Sequence, residues 1–276
     1  VNLTARRSFD IPTFIADLRL RRYVDLVTIV ASRTLKTRYR GSVLGVYWSL
    51  SLPLIMTAVY SLIFGVNFSK DAYYHGSITD YILACFTGLV IINFFSATTT
   101  QALTSIVGSG ALLNKIKIPV SVFPISIVCA NIFQLLVGSL PVLLIVTLVT
   151  SHSPLNMLAL FVPIVALVMI ATGFSLLASG LFVYFRDVPH LYEVVVFILW
   201  MTSPIFYPPD VVPAVIRPYI GLNPLVAVMN SVREIALSGS LPDLHLMSLA
   251  VLSGSIVLIV GALFFLTIKS DFMDLV

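Results

Sequence analysis

Four long stretches of this chain contain no Asp, Glu, Lys or Arg: residues 41–69, 81–114, 118–185 and 244–268. Spanning the hydrocarbon of a bilayer takes roughly 20 apolar residues in a helix. Each stretch is long enough to cross. The rest of the composition agrees, since the 276 residues are 59% hydrophobic and only 10% charged, with a mean hydropathy of +1.05. A soluble domain carries about 25% charged residues. A chain with so apolar a surface would not stay dispersed in water.

The run 118–185 is too long for one span, and Ser151-His152-Ser153-Pro154 breaks it in the middle. It therefore reads as two helices joined by a tight turn. A shorter apolar run, 194–209, contains Pro204, Pro208 and Pro209 and reads as a span that is short and broken at its end. The expected fold class is an all-α integral membrane protein with six transmembrane helices, at about 43–66, 81–107, 120–149, 156–183, 192–205 and 246–268. These form a domain of residues 41–276, preceded by a cytoplasmic amphipathic segment, 1–40.

Loop charge sets the expected orientation, because Lys and Arg collect on the cytoplasmic side. Nine basic residues precede the first span, from Arg6 to Arg40. With that end inside and six spans, Lys115, Lys117, Arg186 and Lys269 also fall inside, while Lys70, Arg217 and Arg233 fall outside. Both termini are then cytoplasmic, in a multi-pass inner-membrane protein. The net charge of +4 is a topology signal, and no nucleic-acid partner is expected. The first 40 residues show no uninterrupted apolar core or cleavage site of a signal peptide. Cys85 and Cys129 fall within spans without metal-ligand spacing and read as small apolar residues.

The basic segment before the first span is patterned. Ile11, Phe14, Ile15 and Leu18 stand at helical spacing, followed by Arg19, Arg21 and Arg22. Val24, Val27, Ala31 and Leu35 then share one side, and Arg33, Lys36 and Arg40 another. Such a helix is expected to lie in the interface, apolar face toward the membrane lipids and basic face toward their phosphates. It serves either as an anchor or as a mechanical element. After the second span, Leu112 to Pro119 forms a short basic turn, which is either a solvated loop or a contact for a soluble partner.

The longest segment between spans, 206–245, is expected outside. It is apolar yet punctuated by Pro208, Pro209, Pro213, Pro218 and Pro224. A loop of that length without structure is uncommon. Short helices dipping back into the membrane over 206–237 fit it, as an outer lid or vestibule; a hydrophobic turn resting on lipid is the other reading. Gly41 and Gly45 form a GxxxG at the start of the first span, and Ala171, Ser175 and Ser179 a small-residue stripe in the fourth. Small residues of this kind let helix backbones approach in lipid.

Chemistry for catalysis is not visible. The four histidines are scattered without metal-ligand spacing, and no GxxxxGK[ST] phosphate loop occurs. The charge-free stretches offer no ionisable relay for ion-coupled transport. A membrane acyl- or glycosyltransferase would need carboxylates or histidines at the interface, and the loops offer no such set. No cofactor is expected on this chain. If it moves something uphill, the energy comes from another subunit. Tyr47, Trp48, Phe94, Phe95, Trp200, Phe206 and Tyr207 sit in or near spans. They read either as an interfacial aromatic belt or as rings on which sugars stack in a channel.

One stretch resembles a known family. Lys36-Thr37-Arg38-Tyr39-Arg40, then Ser42-Val43-Leu44-Gly45-Val46-Tyr47-Trp48 and Pro53, is similar to the opening of ABC-2 type permeases of the polysaccharide-export branch. These are the membrane subunits of O-antigen, capsule and teichoic-acid exporters. Lys115-Ile116-Lys117-Ile118-Pro119, Phe185-Arg186-Asp187, Ser203-Pro204-Ile205-Phe206-Tyr207 and Asn223-Pro224 match further motifs in order. The resemblance implies a homodimer of this chain with two copies of a separate ABC ATPase, which binds ATP and Mg. It also implies a channel for an undecaprenyl-linked polysaccharide, with teichoic acid, capsule, lipid or drug as other cargoes and a non-transporting scaffold as the alternative. By resemblance, ATPase contact falls on Arg19, Arg21, Arg22, Lys115, Lys117 and Pro119. Substrate admission or gating falls near Arg38, Tyr39 and Arg40, and on Arg186 and Asp187 unless these form a structural ion pair.

Overall fold

The computed structural model describes residues 11–68, 77–113, 118–208 and 212–268, with side chains from Leu20 onward and, in that first stretch, as far as Gly65. Twelve α-helices and no strand occur among the described residues. Helix α1 (Ile11–Arg38) leads through a turn and a single 3₁₀ turn into α2 (Trp48–Phe68). Then come α3 (Ile78–Leu103), the short α4 (Gly110–Leu113), and α5 (Val122–Gln134), which passes through a π-turn (Leu135–Ser139) into α6 (Leu140–Ser151). Helices α7 (Pro154–Ala159) and α8 (Phe161–Tyr184) come next, then α9 (Val188–Thr202), α10 (Arg217–Gly221), α11 (Pro224–Leu237) and α12 (Leu244–Ile268).

Among the described residues, five helical stretches are long and apolar enough to cross a bilayer: Gly45–Gly65, Ile78–Leu103, Val122–Ser151, Pro154–Tyr184 and Leu244–Ile268. Helix α9, with 15 residues, extends about 22 Å and falls short of the ~30 Å hydrocarbon. It stops where Pro204 removes a backbone donor.

Helix α3 is the axis of the bundle. From Tyr81 to Phe95 it is mostly apolar and covered on nearly every side, with Cys85, Leu89, Ile91, Ile92 and Phe95 fully covered. Its hydroxyls turn back onto their own helix, Thr98 donating to the Phe94 carbonyl at 2.6 Å and Thr99 to that of Phe95 at 2.8 Å. Polar side chains in such a core are satisfied without water in this way.

Glycines set the closest helix pair. A Cβ on Gly261 of α12 would lie 2.7 Å from the carbonyl carbon of Gly173 on α8, and one on Gly254 would lie 2.9 Å from the Ala166 oxygen. The expected stripe of Ala171, Ser175 and Ser179 is buried as well. Gly41 and Gly45 correct an expectation. They lie before α2 with φ of +75° and +52° and nothing within 4 Å of a notional Cβ. Their value is backbone conformation, which L side chains disfavour there. They do not pack a helix, and α2 begins five residues later than the pattern indicated.

Helix α1 runs beside α5 in the same direction, its Tyr23 hydroxyl 3.1 Å from Ser121 Oγ and its Arg38 beside Gln134 further along. Val27 and Ala31 are buried in this contact, while Val24 is exposed. Arg33, Lys36 and Arg40 are exposed along an open groove that also includes Thr28, Ser32 and Thr37.

The outer segment holds short helices, as expected, but its two parts are placed differently. It is two unlike pieces. Residues 213–219 are exposed, whereas α11 is inserted among α3, α6, α7, α8 and α12. Arg233, expected in an outside loop, is 2% exposed on α11, and its Nε and Nη2 donate to the Ala84 carbonyl of α3 at 3.3 and 3.0 Å. Asn223 caps α11 through Leu225 N at 3.0 Å, and its amide donates to Ser203 Oγ, Thr202 Oγ1 and the Leu199 carbonyl at the end of α9.

Candidate functional site: a caged arginine beside an aromatic notch

The last turn of α1 delivers Arg38 to three neutral amides. Its Nη1 donates to Gln134 Oε1 at 2.7 Å and to Asn131 Oδ1 at 3.3 Å, both on α5. Its Nη2 donates to Gln101 Oε1 on α3. Guanidinium only donates, so the three facing atoms are necessarily oxygens, which fixes the orientation of every amide. Asn131 Nδ2 then donates to Gln101 Oε1 at 3.0 Å and to the Ile127 carbonyl at 2.9 Å, and Gln134 Nε2 donates to the Tyr39 hydroxyl. No carboxylate among the described residues joins the set.

Local structure explains the meeting. Asn131 and Gln134 stand three apart on α5, hence on one face. Gln134 is the last α-helical residue before the π-turn, which adds a residue to the helix and re-aims the side chains beyond it. Gly138 in that turn lies against α2, where a Cβ would meet Ser49 Oγ and approach Leu50 to 3.9 Å. Spans at α2, α3 and α5 thus converge on the end of α1.

Beside the cage lies a half-open notch of about 140 Å³ between α2, α3 and the π-turn. Trp48 and Phe94 supply aromatic surface, while Asn93, Asn131, Gln134 and Ser139 supply polar atoms. A second hollow of about 560 Å³, lined by Arg33, Thr34, Thr37, Arg38, Ser109 and Leu112 among others, separates α1 from the turn after α3. It is open and basic.

The remaining expected positions divide. Tyr47 and Trp48 are exposed, and Phe94, though largely buried, reaches the notch. Phe95 is fully buried with its ring edge-on to Phe174 at 5.2 Å, so it is a core side chain and lines nothing. Trp200 and Phe206 join Tyr60 in a separate cluster, with centroids 4.9 Å apart and Phe206 3.8 Å from Tyr60. Tyr207 donates to the Met201 carbonyl at 3.0 Å. Arg186 and Asp187 are exposed at the start of α9, and Arg186 stands over the Phe182 ring at 5.9 Å. Arg21, Arg22 and Pro119 are exposed. Lys115, Lys117 and the Arg19 side chain lie outside the described residues. No group of three or more His, Cys, Asp or Glu able to hold a metal occurs among the described residues.

Gln101, Asn131 and Gln134 are absent from the sequence-based expectations, which rest on charges in the spans. Neutral amides in long apolar runs were the available signal.

The sequence profile of the ABC-2 type transporter family matches residues 25–237, from the cage-bearing helix through α11. The chain belongs to the ABC-2 type transporter family. Relatives within it are similar over nearly the whole length. Two proteins of Klebsiella pneumoniae, each named O-antigen export system permease protein RfbA, are 28% and 27% identical over 91% of this chain and 95% of their own. A Myxococcus xanthus protein of the same name is 29% identical over 85% of this chain and 89% of its own. As an ABC-2 type transporter the chain is a multi-pass membrane subunit of a transporter, and the caged arginine is a feature of a transport protein.

Proposed function

We propose that this chain is the membrane-spanning permease of an ATP-driven exporter, and that its cargo is a lipid-linked polysaccharide of the O-antigen type leaving the cytoplasm across the bacterial inner membrane. The observation that carries this reading is the likeness, along 91% of the chain, to permeases named for O-antigen export. The absence of a phosphate loop from the sequence agrees with it, because the energy then comes from a partner.

In this proposal two copies of the chain pair, and two ABC ATPase subunits supply ATP and Mg binding. Helix α9, too short to cross by itself, makes the fifth of six crossings together with the non-helical stretch 203–208 that follows it, and both termini are cytoplasmic, as the bias of basic residues favours. The undecaprenyl-linked glycan enters near Arg38, Tyr39 and Arg40. Arg21, Arg22, Pro119 and the lysines at 115 and 117 meet the ATPase, alongside the open basic hollow between α1 and the turn after α3. Trp48 and Phe94 below, with Trp200 and Phe206 further out, offer rings along the path. Exposed apolar side chains on α2 and α9, such as Leu54, Leu62, Leu191 and Phe197, suit lipid or a second copy.

Deletion of the gene in its host tests the cargo. The proposal expects loss of long-chain O-antigen from the cell surface with build-up of the lipid-linked glycan inside, both reversed by a plasmid copy. A deletion strain with normal surface O-antigen and altered teichoic acid, capsule or drug sensitivity would contradict it.

A further inference from the structure

We propose that Gln101, Asn131 and Gln134 form a releasable clamp on Arg38, and that α1 disengages from α3 and α5 and re-engages during each transport cycle. The inference rests on the export reading only for its transport readout.

Gln101 bridges the arginine and a second amide. Its Oε1 accepts from both Arg38 Nη2 and Asn131 Nδ2. In the cage it acts as an acceptor alone. A glutamate, of the same shape, would keep both bonds and add an ion pair with the arginine. Charge-assisted bonds are roughly twice as strong as neutral ones, more so in a partly dry setting. The position therefore holds the weaker of two side chains that fit equally well. Asn131 and Gln134 also accept from Arg38 through their oxygens, but their amide nitrogens donate to Gln101 Oε1, the Ile127 carbonyl and the Tyr39 hydroxyl, so a carboxylate would not replace them bond for bond. A permanent joint would be served better by a carboxylate at Gln101, the one member of the three whose amide nitrogen donates to nothing in the cage.

The surroundings allow movement. Arg38 and Tyr39 are half-buried, and beyond them Gly41 and Gly45 hold positive φ with no neighbour near. That turn, where Ser42 N donates to the Tyr39 carbonyl at 3.0 Å, is where α1 would pivot relative to α2. Below Arg38 the open hollow separates α1 from the turn after α3, leaving room for the helix to travel. On release the guanidinium would face that hollow and the groove of Arg33, Lys36 and Arg40, where solvent can hydrate it. The amides are left to pair with each other, as Asn131 and Gln101 already do. Neither polar side is stranded by release; its cost is the apolar contact of Val27 and Ala31 with α5, which opens with the clamp.

The test uses the complete complex with its ATPase, reconstituted in proteoliposomes with the lipid-linked O-polysaccharide of the expressing strain. Spin labels at Ser32→Cys on α1 and Phe133→Cys on α5, both exposed, report the separation of the two helices. The clamp predicts two distance populations whose balance shifts between the nucleotide-free and vanadate-trapped states. Gln101→Glu should collapse these to the engaged distance, raise the unfolding temperature and slow transport about tenfold, the effect of one strengthened charge-assisted bond. Gln101→Leu should populate the disengaged distance and lower the ratio of glycan moved to ATP hydrolysed. A single nucleotide-independent distance in the unsubstituted complex would overturn the clamp, as would a Gln101→Glu protein that transports normally. Loss of stability in both variants would also overturn it, by showing a static joint. Failure of the unsubstituted complex to move the glycan would strike the export reading, while the nucleotide-dependent distances would still decide the clamp.

Discussion

Arg233 and Gly88 are a matched pair: a Cβ at Gly88 would stand 3.0 Å from Arg233 Nη2, so the glycine is the space into which the guanidinium fits. An arginine this deep in an apolar bundle is held by what it touches, here the Ala84 carbonyl one turn before Gly88. Arg233→Ala removes the donor and leaves a cavity, and the expected cost is about 2–4 kcal/mol. Gly88→Ala forces a shift of a few tenths of an ångström and is expected to cost about 1 kcal/mol. Thermal unfolding in detergent, followed by size-exclusion of the surviving fraction, reads both. Equal stability of Arg233→Ala and the unsubstituted protein would show that the guanidinium contributes nothing to seating α11.

Asn223 joins two helices by two different groups of one side chain. Its oxygen caps α11, and its amide nitrogen reaches the end of α9. Asn223→Asp keeps the cap and loses the donors, whereas Asn223→Ala loses both. Loss of the cap alone is worth about 0.5–2 kcal/mol. Alanine should therefore lower the unfolding temperature more than aspartate. The reverse order would mean that repulsion between a carboxylate and the Leu199 carbonyl dominates the site.

Close approach of α8 and α12 depends on backbone-to-backbone contact at Gly173, Gly254 and Gly261. Gly261→Val should separate the helices and cost more than the ~1–3 kcal/mol typical of overpacking. Gly221→Ala, with nothing within 4 Å, should leave the unfolding temperature unchanged. If Gly261→Val unfolds at the unsubstituted temperature, the helices do not need this approach.

Docking of the ATPase is expected on the basic turn after α3. Replacing Lys115 and Lys117 together by Glu should reduce recovery of the ATPase in affinity purification several-fold while membrane insertion stays intact. Undiminished recovery with normal export would remove the two lysines from the docking surface.

Much of the fold is legible because lipid imposes a simple rule on sequence. Charge-free length locates the five long spans, and the Ser151–Pro154 break marks the turn between two of them. Spacing is a weaker guide. Gly41 and Gly45 carry the spacing of a helix-packing motif, yet spacing does not report φ, and both adopt conformations outside a helix. The prolines around 208–224 make the whole outer segment look alike. Met229, Val232 and Ala236, spaced three and four apart and all buried, are the sign that one part of it is an amphipathic helix inside the bundle. The cage is hard to find for a chemical reason. A search for ionisable groups passes over neutral amides, although a lone arginine near apolar spans needs acceptors of some kind.

The central claim is that this chain is a conduit worked by a companion ATPase. The direct measurement is movement of lipid-linked O-polysaccharide across proteoliposomes holding the chain alone, with its ATPase, or with an ATPase unable to hydrolyse ATP. The account predicts ATP-dependent movement only with the active partner, and no ATP turnover by the chain alone. Hydrolysis by the isolated chain, or movement that ignores the partner, would contradict it.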